Sequence, residues 1–159
     1  MDAAEVHATK SQIFQELLGT SGVSPRAGVL DTVELAKGEG ISLGFVTTTS
    51  AENVAALLSA LSPDISADTF DIVIDKSAVG DVKPDPAAYL YALEQLGEDS
   101  ADVVAIEDNV GGVAAANAAG VTCIAFPNQN TADSDFSSAT TTVDALDAGT
   151  VLAFVKETA

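Results

Sequence analysis

Residues 103–126 read Val-Val-Ala-Ile-Glu-Asp-Asn-Val-Gly-Gly-Val-Ala-Ala-Ala-Asn-Ala-Ala-Gly-Val-Thr-Cys-Ile-Ala-Phe. A short apolar run (103–106) ends in Glu107-Asp108-Asn109. A small-residue helix over 110–119 follows, stopped by Gly120, and a second apolar run fills 121–126. Strand, helix, strand of these lengths indicates that the two strands are parallel. The same alternation continues upstream. The spacing predicts strands over 41–46 and 70–74, and helices over 5–18, 29–37, 51–61 and 87–96, with a last helix over 148–156. Ser50 is placed to cap helix 51–61, with Glu52 in its first turn. Pro86 suits the first turn of 87–96, and Gly97 its end. Val6, Ile13, Phe14, Leu17 and Leu18 form the apolar stripe of 5–18, and Gly and Ser break the chain over 19–24. The fold class expected is α/β, a doubly wound parallel sheet covered on both faces.

The composition fits such a core. The chain has 159 residues, 47% of them hydrophobic, enough for one domain with a sizeable interior. Six basic residues against 24 acidic ones leave a net charge of −18. Nucleic acid is excluded as a partner, because phosphate backbones need positive surface. No apolar run nears the roughly 18 residues of a membrane span. The first residues, Met1-Asp2-Ala3-Ala4-Glu5, carry neither the basic nor the apolar region of a signal peptide, so a cytoplasmic location is expected. The single Cys123 cannot form an internal disulfide and reads as a small core residue.

Such sheets bind ligands beyond the carboxyl ends of their strands. Three polar groups fall there. Strand 41–46 runs into Thr47-Thr48-Thr49-Ser50. Strand 70–74 leads through a loop to Lys83-Pro84-Asp85-Pro86, and 103–106 ends in Glu107-Asp108. A hydroxyl beside free backbone N–H groups grips phosphate oxygens near a helix N-terminus. A lysine neutralises phosphate as a point charge. Paired carboxylates suit Mg²⁺, a hard cation that prefers oxygen. Each group also has a plainer reading. Thr47 fits a turn or cap, Lys83 a surface loop, and Glu107-Asp108 the acidic start of a helix. The three in order are far more specific than any one.

Taken together, these stretches resemble the haloacid dehalogenase superfamily of phosphatases. There a strand-end Ser or Thr, a lysine often in Lys-Pro-x-Pro, and an acidic pair recur in this order. Within the superfamily the likeness is to the beta-phosphoglucomutase-like branch, especially CbbY-type phosphatases, which act on xylulose bisphosphate. Further stretches carrying it are His7-Ala8-Thr9-Lys10, Arg26-Ala27-Gly28-Val29, Gly120-Val121-Thr122-Cys123-Ile124 and Thr131-Ala132-Asp133-Ser134-Asp135-Phe136. The resemblance implies a Mg²⁺-dependent phosphatase of a small phosphorylated sugar or sugar bisphosphate. In it Thr47, with Thr48 and Thr49, would bind the transferring phosphoryl group. Lys83 would offset its charge, and Asp108 with Glu107 would hold Mg²⁺. Lys10 would reach a distal phosphate. Asn109 stands where the family commonly has Ser, and Ala27 where it often has Pro.

The family also carries Asp-x-Asp-Gly-Thr on its first strand, with the attacking aspartate and the acid/base aspartate. None of the 159 residues matches it; Asp71 and Asp75 bracket a strand that the family uses otherwise. Residues 1–20 are expected to be a remnant of the helical cap, and 24–159 a core without its first, central strand. That strand would lie between those ending at Val46 and Ile106. The chain alone is therefore expected to be inactive. It would be a C-terminal fragment of a phosphatase, or half of a split enzyme completed by a separate chain, or a non-catalytic phosphate- or metal-binding module. The open edges favour a complementing chain or self-association.

The scattered acids, few lysines and Ala- and Val-rich interior suggest adaptation to high salt. Self-repulsion among 24 carboxylates is screened within about 3 Å at 1 M salt, against about 30 Å at 0.01 M. The melting temperature is expected to rise between dilute buffer and molar KCl; an unchanged value would refute salt adaptation.

Overall fold

A computed structural model describes residues 25–62 and 64–158. The expected helix over 5–18, the cap remnant 1–20 and Lys10 lie outside the described residues. Among the described residues, five α-helices and five strands occur, alternating as far as β4: α1 (Val29–Gly38), β1 (Gly44–Val46), α2 (Ala51–Leu61), β2 (Ile72–Ile74), α3 (Ala87–Leu96), β3 (Val104–Glu107), α4 (Val110–Ala118), β4 (Thr122–Ala125), β5 (Thr141–Thr142) and α5 (Ala148–Thr158).

Every described strand pair is parallel, but the strands form two sheets, β2-β1 and β3-β4-β5. The division falls between the strand ending at Val46 and the strand ending at Glu107, the place expected for an absent central strand. Among the described residues, nothing pairs with the second edge of β1 or of β3. Exposure follows from this. Ile106 in β3 is 38% exposed, while its register partner Ile124, one strand further in, is 1% exposed.

Helices hold the two sheets together. On one face Ala105, Cys123 and Ala125 pack with Tyr89 and Leu93 of α3 and with Val113 and Ala116 of α4. On the other, Val104, Ile124 and Phe126 pack with Val29 of α1 and Val151 and Phe154 of α5. Phe45 and Val73 of the small sheet are covered by Val54, Leu58 and Leu61 of α2. Val29 belongs to both of the last two clusters, and α3 also packs on β1 and β2. Two helices, one per face, thus bridge the sheets. Cys123 is fully buried, as expected of a core residue.

Local signals behave as read. The Ser50 hydroxyl accepts from Asn53 N at 3.2 Å, and Gly97 closes α3 in the left-handed region at φ 67°. Gly28 is required twice over: its φ is 85°, and a Cβ there would lie 1.8 Å from the Leu146 carbonyl oxygen. The neighbouring Ala27 carbonyl accepts from Leu146 N at 3.1 Å, tying the start of α1 to the segment before α5.

The strands are shorter than the apolar runs. β1 starts at Gly44 because the Asp71 carboxylate takes the Leu43 N–H at 2.7 Å, leaving ladder pairing to begin later. β3 runs one residue further than expected, so Glu107 is its last residue and not a loop residue. Its carbonyl accepts from Phe126 N at 2.7 Å. β5 falls in Thr140-Thr141-Thr142, which reads in the sequence as a short low-complexity run. None of the described helices is long and apolar enough to cross a membrane.

Candidate functional site

The carboxyl ends of β1 and β3 converge on one lysine. Lys83 Nζ donates to the Val46 carbonyl at 3.1 Å and forms an ion pair with the Glu107 carboxylate. One side chain thereby joins the last residue of each sheet's free-edged strand. The Lys83 side chain is 13% exposed and that of Glu107 7%, so the pair is largely shielded from solvent. An ammonium has three donors; the third is left for a ligand. The loop that presents Lys83 contains a cis Lys83–Pro84 peptide bond and runs straight into α3.

Glu107 is held from three sides. The Tyr89 hydroxyl donates to the same Oε1 that Lys83 binds. Oε2 rests on Gly112 in the first turn of α4, where a Cβ would lie 2.0 Å away. Negative charge is favoured at a helix N-terminus. Burial, with the Glu107 charge adding to it, holds the Tyr89 phenol far above its ordinary range, so it stays a donor. Burial also pushes the Cys123 thiol up to about 12. Glu107 adds to that rise and Lys83 opposes it, leaving a neutral, unreactive core residue. Tyr89 and Gly112 were not legible as site residues, because their partner is set by tertiary packing. The one local clue is that Tyr89 follows Lys83-Pro84-Asp85-Pro86 by one helical turn.

Thr47 sits one residue past β1, and its N–H extends the ladder to Ile74 O at 2.9 Å. Its Oγ1 accepts from Thr49 N at 3.2 Å, which leaves the hydroxyl proton free to donate. Thr49 Oγ1 accepts from Asn53 Nδ2 at 3.1 Å. Thr47, Thr48 and Thr49 are half-buried at the start of α2. Asp108, in the turn after β3, is exposed. Asn109 Nδ2 donates to its Oδ1 at 3.1 Å and Asn128 Nδ2 to its Oδ2 at 3.0 Å. Asn109 also caps α4, accepting from Gly112 N at 2.8 Å. The Asn109 side chain therefore both caps the helix and donates to Asp108.

The donor set fits a magnesium ion in a limited sense. No group of three or more His, Cys, Asp or Glu side chains suited to a metal occurs among the described residues. Mg²⁺ is often held by one or two carboxylates, its remaining positions filled by waters and phosphate. Asp108 is exposed, each of its oxygens keeps a lone pair, and the amide contacts restrain its orientation.

A profile for haloacid dehalogenase-like hydrolases matches residues 2–120. The chain belongs to this family. Within this hydrolase family its likeness is to CbbY and to beta-phosphoglucomutase-like proteins. It is 35% identical to Protein CbbY of Rhodobacter capsulatus over 136 residues, covering 86% of this chain and 60% of that protein. A crystal structure of CbbY from Rhodobacter sphaeroides in complex with phosphate superposes with a TM-score of 0.84 at 31% identity. It covers 98% of this chain and 66% of that one. The Phosphorylated carbohydrates phosphatase of Thermotoga maritima is 34% identical over 116 residues, covering 73% of this chain and 50% of that protein. The chain thus spans about 60% of the length of the CbbY proteins of Rhodobacter capsulatus and Cereibacter sphaeroides.

The seat of Glu107 gives a direct test. A Gly→Ala change inside a helix ordinarily gains up to about 1 kcal/mol. Gly112→Ala should instead lower the melting temperature, because the new Cβ evicts the Glu107 carboxylate. Gly111→Ala, whose Cβ meets only Asn109 Oδ1 at 3.3 Å, should cost less. A Gly112→Ala protein more stable than the parent would contradict this packing.

Proposed function

We propose that the chain supplies the phosphate- and metal-binding side of a Mg²⁺-dependent phosphatase that acts on a small phosphorylated sugar or sugar bisphosphate. The observation that carries the reading is Lys83, which meets the last residues of β1 and β3, the residues that Thr47 and Asp108 directly follow. The substrate class is supported by the relatives. One is a phosphatase of phosphorylated carbohydrates, and a CbbY mutant from Rhodobacter sphaeroides, 32% identical here, was crystallised with xylulose-(1,5)bisphosphate.

In this reading the Thr47 hydroxyl and the N–H groups that open α2 bind the phosphoryl oxygens, with Thr48 and Thr49 framing them. Lys83 spends its third N–H on the same oxygens. The Glu107 carboxylate pairs with its ammonium in a shielded place. Asp108 holds Mg²⁺ with the help of Glu107. When bound, the ion would neutralise charge that develops on the transferring group. Lys10 would contact a distal phosphate. The attacking aspartate and the acid/base aspartate would come from a strand seated between β1 and β3, carried by a longer gene product or by a separate chain.

The test is phosphate release from xylulose bisphosphate and small sugar phosphates, with and without Mg²⁺. The 159-residue chain should be silent alone. It should turn over once a segment bearing the Asp-x-Asp-Gly-Thr strand and cap is supplied. Asp108→Ala or Lys83→Met should then lower kcat by roughly a hundredfold or more. Mg²⁺-dependent turnover by the chain alone, lost on Asp108→Ala, would reveal a different nucleophile. Binding of Mg²⁺ or phosphate with no turnover after completion would make the protein a binding module.

A further inference from the structure

The loop after β4 reaches back to Asp108 through the side chains of Asn128 and Thr131. Asn128 has both ends of its amide committed. Its Oδ1 accepts from Asn130 N at 2.8 Å, which turns the NH₂ group outward to donate to Asp108 Oδ2 at 3.0 Å. The loop's own backbone therefore fixes which way the amide faces. Thr131 secures the same loop twice. Its hydroxyl donates to the Asp108 carbonyl at 2.6 Å and accepts from Asn128 N at 3.0 Å. Arg26 anchors the start of the loop. It donates to the Phe126 carbonyl at 2.8 Å and the Pro127 carbonyl at 2.6 Å, with its guanidinium 3.5 Å above the Phe126 ring.

We propose that Asn128 is a positioning residue for the Asp108 carboxylate, locked by Thr131 and Arg26, and that metal affinity depends on this loop. The proposal rests on the reading of Asp108 as a magnesium ligand. An exposed aspartate at a strand end has free rotamers. A ligand that must be ordered on binding loses affinity by the entropy of that ordering. Asn128 and Asn109 each donate to one oxygen, so the carboxylate is oriented before a cation arrives. Both donors are neutral, so they orient the group without cancelling its charge. Outer contacts of this kind commonly alter metal affinity by 10–100-fold.

The experiment uses the protein completed with its nucleophile strand, and Mn²⁺ as the probe, titrated by electron paramagnetic resonance; Mn²⁺ favours the same oxygen ligands as Mg²⁺. Asn128→Ala should weaken Mn²⁺ binding roughly tenfold or more. The substrate KM measured at saturating metal should stay at the parent value. Thr131→Val should weaken Mn²⁺ binding likewise, and Thr131→Ser should restore it. Asn117→Ala is the control, because that amide ties a loop to Ser138 O at 2.9 Å away from Asp108. It should leave Mn²⁺ affinity unchanged. Parent affinity in both Asn128→Ala and Thr131→Val would overturn the positioning role while leaving the metal reading intact. Absence of Mn²⁺ binding by the parent protein would overturn both. Should Asn128→Ala fail to fold, the Thr131→Val and Thr131→Ser pair decides the matter.

Discussion

The carboxyl end of this fold depends on a shielded lysine paired with a buried carboxylate. An ammonium removed from water costs several kcal/mol unless it is paired and hydrogen-bonded. Lys83 is given a carboxylate, a backbone carbonyl and the face of an aromatic ring, with Nζ 5.1 Å from the Tyr89 centroid. Glu107 needs equal support, and receives it from Lys83, the Tyr89 hydroxyl and the first turn of α4. Neither charge is tolerable without the other. Gly112 is the steric condition for the arrangement, because any side chain there would occupy the space of the carboxylate.

The same pair resolves a topological problem. Two parallel sheets with unpaired facing edges have no strand hydrogen bonds to hold them in register. Two bridging helices provide the apolar part of the join. Lys83 provides the polar part, from the loop before α3 to the last residue of β1 and the last of β3. The open edges and the exposed Ile106 are what a strand inserted between them would cover.

Much of this was legible in the sequence because it is local. Apolar runs, capping residues and glycine stops mark the helices and strands, and the strand-end positions of Thr47 and Asp108 and the place of Lys83 in the loop before α3 follow from them. What escaped was non-local. Tyr89 meets Glu107 across 18 residues, Asn128 meets Asp108 across 20, and Arg26 meets the carbonyl of Phe126 across 100. No periodicity encodes those partners. Glu107 was read as assisting Asp108 in holding a metal; alternation along β3 turns it into the interior, against Lys83 and Tyr89, while Asp108 lies exposed in the turn. The two-residue β5 was masked by a threonine run too short to alternate.

The measurement closest to the centre of this account is a double-mutant cycle on Lys83→Met and Glu107→Gln, read by equilibrium unfolding. Breaking one partner of a buried pair costs about 3–5 kcal/mol, because the other charge is left stranded. Each single substitution is therefore expected to destabilise the fold strongly, and the double substitution to cost far less than their sum. Additive losses would mean that the two side chains act independently, and the cleft between the sheets would then lack the join described here.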